Sequence, residues 1–300
     1  MMDPALLLPD FLLIALGWII CRRTALGRPV WEAAERLVYY LLFPVLLFTS
    51  TVKSPLQPGA ALHLAIGGLV TISVGIVVAG LIGRVPGVDR RLHASGAQTA
   101  YRFSAFIALA MAQRLFGSEG LARMALLIAL CVPLGNVAAV WQLARGGGQS
   151  YFGELVRNPL IISTVAGLLA NAVGLVLPAV VDTTLQRIGQ AALPVALMAV
   201  GAGLTVGGLK ESPALASAFL AVRHALLPLV ALGVGAALAL SAPQHGVLVL
   251  FAAVPTASTS YVLTARMGGA AGFVAGLVMV STLLGVLSIP LWLLVVQQLH

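Results

Sequence analysis

The positions in this 300-residue chain with the most chemistry to offer fall in one stretch, Pro255-Thr256-Ala257-Ser258-Thr259-Ser260-Tyr261, and at one isolated cation, Arg102. The stretch follows an apolar run over 247–253. Proline removes a backbone donor and clashes with the preceding turn, so Pro255 interrupts whatever helix that run forms. Interrupted backbone at membrane depth survives only where it is buried in protein or lines a wet cavity. The start of a second half-helix there offers free amides and a positive dipole end to an anion. Thr256, Ser258 and Ser260 add hydroxyl donors without adding charge. Arg102 stands in Tyr101-Arg102-Phe103-Ser104, inside another apolar stretch. An ionised guanidinium near a bilayer centre is costly and marks a pathway or a partner. Its planar fork can hold a carboxylate through two parallel bonds. Structural readings stand beside these. Arg102 can instead bond broken-helix carbonyls or snorkel to an interface. The hydroxyls can instead pack helices together or repair the backbone at a kink.

Other polar residues within or near apolar runs are Asp10, His63, Arg223 and His224. A histidine changes charge near neutral pH, which makes His63 and His224, with Asp10, the candidates for ion coupling. Against this, Asp10 lies close to a membrane surface and Arg223 can snorkel to one. Asn136 and Asn171 read as interhelical hydrogen-bonding groups, and Pro44 and Pro194 as helix kinks. Cys21 and Cys131 fall in or at the end of apolar runs and read as small buried fillers. No P-loop or H-E-x-x-H pattern occurs, and no acidic pair within an apolar run could hold a magnesium ion. The expectation is no enzyme, no cofactor and no metal.

The elements that must position these residues follow from composition. Hydrophobic residues make up 60% of the chain and charged residues 9%, with a mean hydropathy of +1.04. Soluble domains carry about 25% charge, so this chain could not solvate its own surface and is expected to be a polytopic membrane protein. The net charge of +8 does not point to nucleic acid, because the basic residues come one to three at a time between apolar runs. No cleavable leader is expected before Arg22. About ten segments are long enough to span, at roughly 5–21, 34–52, 60–83, 95–115, 121–143, 159–179, 188–208, 215–241, 246–267 and 272–297. Lys and Arg gather in alternate connections, among them Arg22, Arg23, Arg84, Arg90, Arg91, Arg145 and Lys210. That places these connections in the cytoplasm and both termini outside.

The chain also matches itself. At a shift of 150, Pro9, Gly17, Glu32 and Pro44 meet Pro159, Gly167, Asp182 and Pro194. At 152, Phe103-Ser104 meets Pro255-Thr256. An odd number of spans per copy inserts the copies with opposite polarity and puts a site at their interface. The expected architecture is an all-α integral membrane protein of about ten transmembrane helices in two inverted five-helix repeats, 1–145 and 159–300, joined by a glycine-rich linker at 146–158. The repeat predicts that the fourth span mirrors the broken ninth, although the fourth has no proline.

Five segments in this order resemble the auxin efflux carrier family, including its bacterial malonate-permease-like branch. They are Leu41-Leu-Phe-Pro-Val-Leu-Leu-Phe, Arg102-Phe-Ser-Ala-Phe-Ile-Ala-Leu-Ala, Arg157-Asn-Pro-Leu-Ile-Ile, Ala192-Leu-Pro-Val-Ala-Leu-Met-Ala-Val-Gly-Ala-Gly-Leu, and Pro255-Thr-Ala-Ser-Thr-Ser-Tyr-Val-Leu-Thr-Ala-Arg-Met-Gly-Gly. The resemblance implies that helices 4 and 9 are discontinuous and cross. It implies a scaffold of helices 1, 2, 6 and 7 that often dimerises, and a moving core of helices 3–5 and 8–10. It implies transport of small organic anions, carboxylates among them. The chain departs from plant relatives in having Arg102 and Ser104 where many carry Asn and Pro, and His63 where some carry an acid. The expected site is Arg102, Ser104, Pro255, Thr256, Ser258 and Ser260. A proton or sodium ion is the expected coupling partner, the bilayer the surroundings and a homodimer the assembly. The competing expectations are a sodium-coupled anion symporter of the bile-acid-carrier type and a membrane sensor or scaffold without turnover.

Overall fold

The computed structural model describes residues 8–53, 58–143, 159–204 and 208–299. Among them every extended element is helical, and the β-structure is one isolated antiparallel bridge between Phe103 and Thr256. The linker expected at 146–158 lies outside the described residues. In chain order the helices are α1 (Leu8–Arg23), α2 (28–52), α3 (Pro58–Ile82), α4 (90–100), α5 (105–116), α6 (118–143), α7 (Pro159–Ala172), α8 (Ala179–Gly203), α9 (Pro213–Ala237), α10 (Ala242–Ala253), α11 (Thr259–Arg266) and α12 (Ala271–Gln297). The stretches Ala61–Ile82, Ala105–Leu143, Pro213–Ala237 and Ala271–Gln297 are each long and apolar enough to cross a membrane. Their length and composition are those of membrane-spanning segments.

Local chemistry sets where the helices start, stop and bend. The Asp89 side chain accepts the Leu92 amide at 2.8 Å and starts α4. Ser241 and Gln244 form a capping box that starts α10. A straight helix over 105–143 would run about 58 Å, well beyond a hydrocarbon core of about 30 Å. Gly117 divides it into α5 and α6 by taking φ +64°, a left-handed conformation that strains any residue with a Cβ. Both π-turns, Val38–Leu42 in α2 and Val222–Leu226 in α9, lie just ahead of a proline, Pro44 and Pro228. A proline ring collides with the carbonyl four residues back, and the wider turn relieves that collision.

The helices pack in two groups. In the first, α1 lies along α8 and α2 along α7 and α8. Their backbones touch. A Cβ on Gly17 would collide with the Met198 carbonyl, and one on Gly201 with that of Ile14. Gly167 lies under Thr51 and Phe48 less closely, where a Cβ would come 2.8 Å from Thr51 Cβ and 3.1 Å from the Phe48 carbonyl oxygen. Small residues that let backbones meet are the usual adhesive between helices in lipid. In the second group, α10 is enclosed by α3, the stretch 105–143 that holds α5 and α6, α9 and α12. Every residue of α10 from Gln244 to Ala253 is buried, as a helix that is apolar all round must be.

Gly201→Ala is expected to force α1 and α8 apart, costing about 1–3 kcal/mol of stability. Gly233→Ala adds a methyl where nothing lies within 4 Å and should stabilise by about 0.4–1 kcal/mol through the unfolded chain. Thermal unfolding of the purified protein in detergent, with both variants side by side, checks the pair. Equal behaviour would show that the close glycine contact is not what holds α1 to α8.

Candidate functional site: the crossing of two interrupted helices

The chain leaves helical geometry between α4 and α5, at Tyr101–Ser104, and again between α10 and α11, at Val254–Ser258. The two interruptions meet. Ser104 N–H donates to the Pro255 carbonyl at 2.8 Å, and Ala257 N–H donates to the Arg102 carbonyl at 3.2 Å. Phe103 and Thr256 sit opposite one another as an antiparallel pair. The Phe103 ring meets the Phe251 ring edge-on, centroids 4.5 Å apart. The Thr256 hydroxyl donates to the Thr99 carbonyl at 2.6 Å, and its amide donates to Ser281 Oγ on α12 at 2.9 Å. Each break thus supplies the hydrogen bonds that the other lost. Gly285 lets α12 lie against the Pro255 ring, where a Cβ would come within 3.2 Å.

Arg102 sits at this junction, half-buried. Its Nη1 donates to Gln98 Oε1 at 2.7 Å and its Nη2 to Thr259 Oγ1 at 3.1 Å. Gln98 is fully buried, and its Nε2 donates to the Ser95 carbonyl and to Thr264 Oγ1. Thr264 in turn donates to the Ser260 carbonyl. An arginine only donates, so the Gln98 atom facing it must be the oxygen. The amide is therefore locked in orientation and ties α4, Arg102 and α11 together. No carboxylate pairs with Arg102 among the described residues. The ion pairs lie elsewhere, at Arg28 with Glu32 and Glu35, Lys53 with Asp182, and Arg123 with Glu119.

Arg223, on the π-turn of α9, is 1% exposed. Its Nη2 donates to the carbonyls of Phe251, at 3.0 Å, and Ala252, at 2.6 Å, and its Nη1 lies 3.5 Å from that of Tyr101. These carbonyls belong to the C-terminal ends of the two leading half-helices. The neighbouring His224 stands between Ser281 and Ser288 of α12, at 2.8 and 2.9 Å. Through Ser281 it is one hydrogen bond from the Thr256 amide.

The expected site residues are thus partly assembled. Arg102, Ser104, Pro255 and Thr256 form the crossing itself. Ser258 precedes α11 at the cap position, and the Ser260 hydroxyl is buried without a hydrogen-bond partner. His224 lies against the crossing. His63 is exposed on the outside of α3. Asp10 belongs to α1, and its side chain lies outside the described ones. Asn171 donates to the Thr51 and Val52 carbonyls and closes the end of α2, as its interhelical reading anticipated. Sequence reasoning passed over Gln98, Thr99, Thr264 and Ser281. The four-residue spacings of Gln98 to Arg102 and Ser260 to Thr264 carried a signal, since such positions are neighbours on one helix face. The sequence allows Arg223 to snorkel to a surface; its side chain turns inward to the crossing instead.

Residues 148–293 match a family model described as "Membrane transport protein". A protein of Methanothermobacter thermautotrophicus described as "Uncharacterized transporter" is 27% identical over 286 residues, covering 93% of this chain and 94% of the relative. A protein of Rhizobium meliloti described as "Putative malonate transporter" is 26% identical over 308 residues, covering 95% of this chain and 92% of its own length. The chain is thus similar along almost its whole length to proteins described as transporters, and its C-terminal half to a membrane transport protein family.

Proposed function

We propose that this chain is a secondary carrier of small carboxylate anions that works by alternating access around the crossing. The observation behind this reading is Arg102. It is a half-buried guanidinium held by two neutral groups, Gln98 and Thr259, with no acid beside it among the described residues. A cation kept in shape but not neutralised is a receptor for an anion, and its remaining N–H groups fit a carboxylate. The N-terminal ends of α5 and α11 converge on the same junction and add positive potential. That one relative is described as a malonate transporter agrees with this chemistry. A negative cell interior opposes anion entry by about 2.3 kcal/mol per charge per 100 mV, so export can run uncoupled while accumulation requires a companion cation. In this reading His224 is the candidate to carry a proton.

The inverted five-helix repeat belongs to the same proposal, and paired contacts support it. Gly17 meets Met198, and Gly167 meets Phe48; both members of the second contact are related to members of the first by 150 residues. His93 of α4 bonds the Ala79 carbonyl on α3 at 2.8 Å with its ring against Gly83. His245 of α10 bonds the Leu232 carbonyl on α9 at 3.1 Å with its ring against Gly235. His93 and His245, and Gly83 and Gly235, are each 152 residues apart. In the proposed carrier α1, α2, α7 and α8 are the scaffold, which pairs with a second copy. The remaining helices are the core that moves, and both termini face outward.

The test is counterflow of a panel of labelled carboxylates in proteoliposomes. Arg102→Ala is expected to lower transport of the best substrate by about thirtyfold or more, as for a lost charge contact of about 2 kcal/mol or above, in protein that still folds and loses only about 1–3 kcal/mol of stability at the buried Gln98 oxygen. Arg102→Lys, which keeps charge but not the fork, should fall between. Unchanged transport in Arg102→Ala would remove the assignment. Gln98→Glu should silence transport at neutral pH by neutralising Arg102, and acidification that protonates the introduced carboxyl should recover part of it. A loss insensitive to pH would reduce Gln98 to a packing role. A C-terminal epitope should be reachable by antibody on intact cells, and reactivity only after permeabilisation would reverse the orientation.

A further inference from the structure

An α-helix ends with carbonyls that no helical amide reaches, and the four at the end of α10 can be followed one by one. Leu250 O accepts from Val254 N–H. Phe251 O and Ala252 O accept from Arg223. Ala253 O has the Ser288 hydroxyl at 3.5 Å. At the other interruption Gln98 O accepts from Arg102 N–H, Thr99 O from the Thr256 hydroxyl, and Tyr101 O faces Arg223. Each helix end carries about half a negative charge, so two such ends facing one point match one cation. Discontinuous-helix carriers use this arrangement of unwound carbonyls and half-helix C-termini to hold a coupling sodium ion or proton. Here the place is filled by a side chain. Arg223 is fully buried, has no acidic partner among the described residues, and is delivered by the π-turn of α9. Its Nε is buried without a partner, and the contacts it makes, all through Nη1 and Nη2, go to carbonyls of the crossing.

We infer that Arg223 is a tethered cation occupying the carbonyl cradle where a sodium-coupled carrier would bind its ion, and that transport by this chain therefore needs no sodium gradient. The inference rests on the carrier reading above and deepens it by specifying the coupling. It gives the two arginines opposite tasks, with Arg223 closing the negative ends of the crossing permanently and Arg102 left open for the travelling anion.

The experiment has a transport arm and a stability arm, both on the full chain. In proteoliposomes, counterflow of the best carboxylate should proceed at the same rate, within about twofold, in sodium, potassium and choline media, where a coupling ion would change affinity by about fivefold or more. A sodium requirement in the unmodified protein overturns the inference. In detergent, Arg223→Ala should melt at a lower temperature than the unmodified protein. Methylguanidinium or sodium should restore several degrees of it where choline restores none, because a ligand of the folded state raises its apparent stability. A folded Arg223→Ala protein that melts like the parent, or that answers none of these cations, overturns it too. Should Arg223→Ala fail to fold, Arg223→Lys keeps a tethered cation and should transport without sodium; sodium dependence in that variant is the contrary result. An unmodified protein that moves no carboxylate in any medium removes the carrier reading instead, while the melting arm still reports whether the cradle takes a cation.

Discussion

The rest of this structure depends on one requirement: backbone amides and carbonyls removed from water must find partners. A spanning helix meets it internally, and any interruption releases several groups at once, each costly if left alone. Here two interruptions are placed so that the groups released by one are taken up by the other. Ser104 and Ala257 donate across the gap to Pro255 and Arg102. The leftover carbonyls go to Arg223, to Thr256 and to Ser288. The crossing is therefore not a weak point at which helices happen to break. Either break alone would be destabilising, and only the pair is a stable unit.

That requirement also explains why two arginines at one junction differ so much. Arg223 faces carbonyls at the negative ends of helices and is enclosed. Arg102 comes from the segment between the half-helices and faces an amide and a hydroxyl. One is buried and the other half-buried, and neither has an acid beside it among the described residues, an arrangement that is costly unless fixed dipoles or a ligand compensate. For Arg223 the compensation is built in. For Arg102 it is incomplete, and in the proposed carrier an incompletely compensated cation at this junction is what would let the crossing bind an anion rather than serve structure alone.

The ninth-span break was legible in the sequence because proline leaves a local mark. Pro255 cannot extend α10, and the apolar run before it, with the hydroxyl cluster after it, locates the break to within a residue or two. The four long apolar stretches were legible for a similar reason, since composition marks them. The break after α4 was not legible from its own residues. No proline stands there, and Tyr101 and Phe103 are ordinary apolar residues. What holds that segment out of helical geometry lies 120 to 160 positions away, in Pro255, Thr256, Ala257 and Arg223. Only the internal repeat pointed to it, by aligning Phe103-Ser104 with Pro255-Thr256. The inward turn of Arg223 was hidden likewise. A cation near the start of an apolar run looks the same whether it reaches for water or for carbonyls contributed by a helix 28 residues further along.

A site that is to be opened first to one side and then to the other must survive the movement. The hydrogen bonds of the crossing join α4, α5, α9, α10, α11 and α12, and none of those described above reaches α1, α2, α7 or α8. Among these last four, α1 and α8 are fastened by backbone contacts at Gly17 and Gly201, which tolerate little sliding because a displaced backbone meets carbonyl oxygen rather than a pliable side chain, and α7 lies against α2 at Gly167. In the proposed carrier the plane of movement therefore lies between the two groups and not through the crossing. The anion, Arg102, and the tethered cation would travel as one body, their geometry unchanged, while the surface along which that body slides is made of side chains that can repack. A mechanism in which α4–α5 and α10–α11 separate would have to release every carbonyl that Arg223 and Thr256 hold, inside oil, on each cycle.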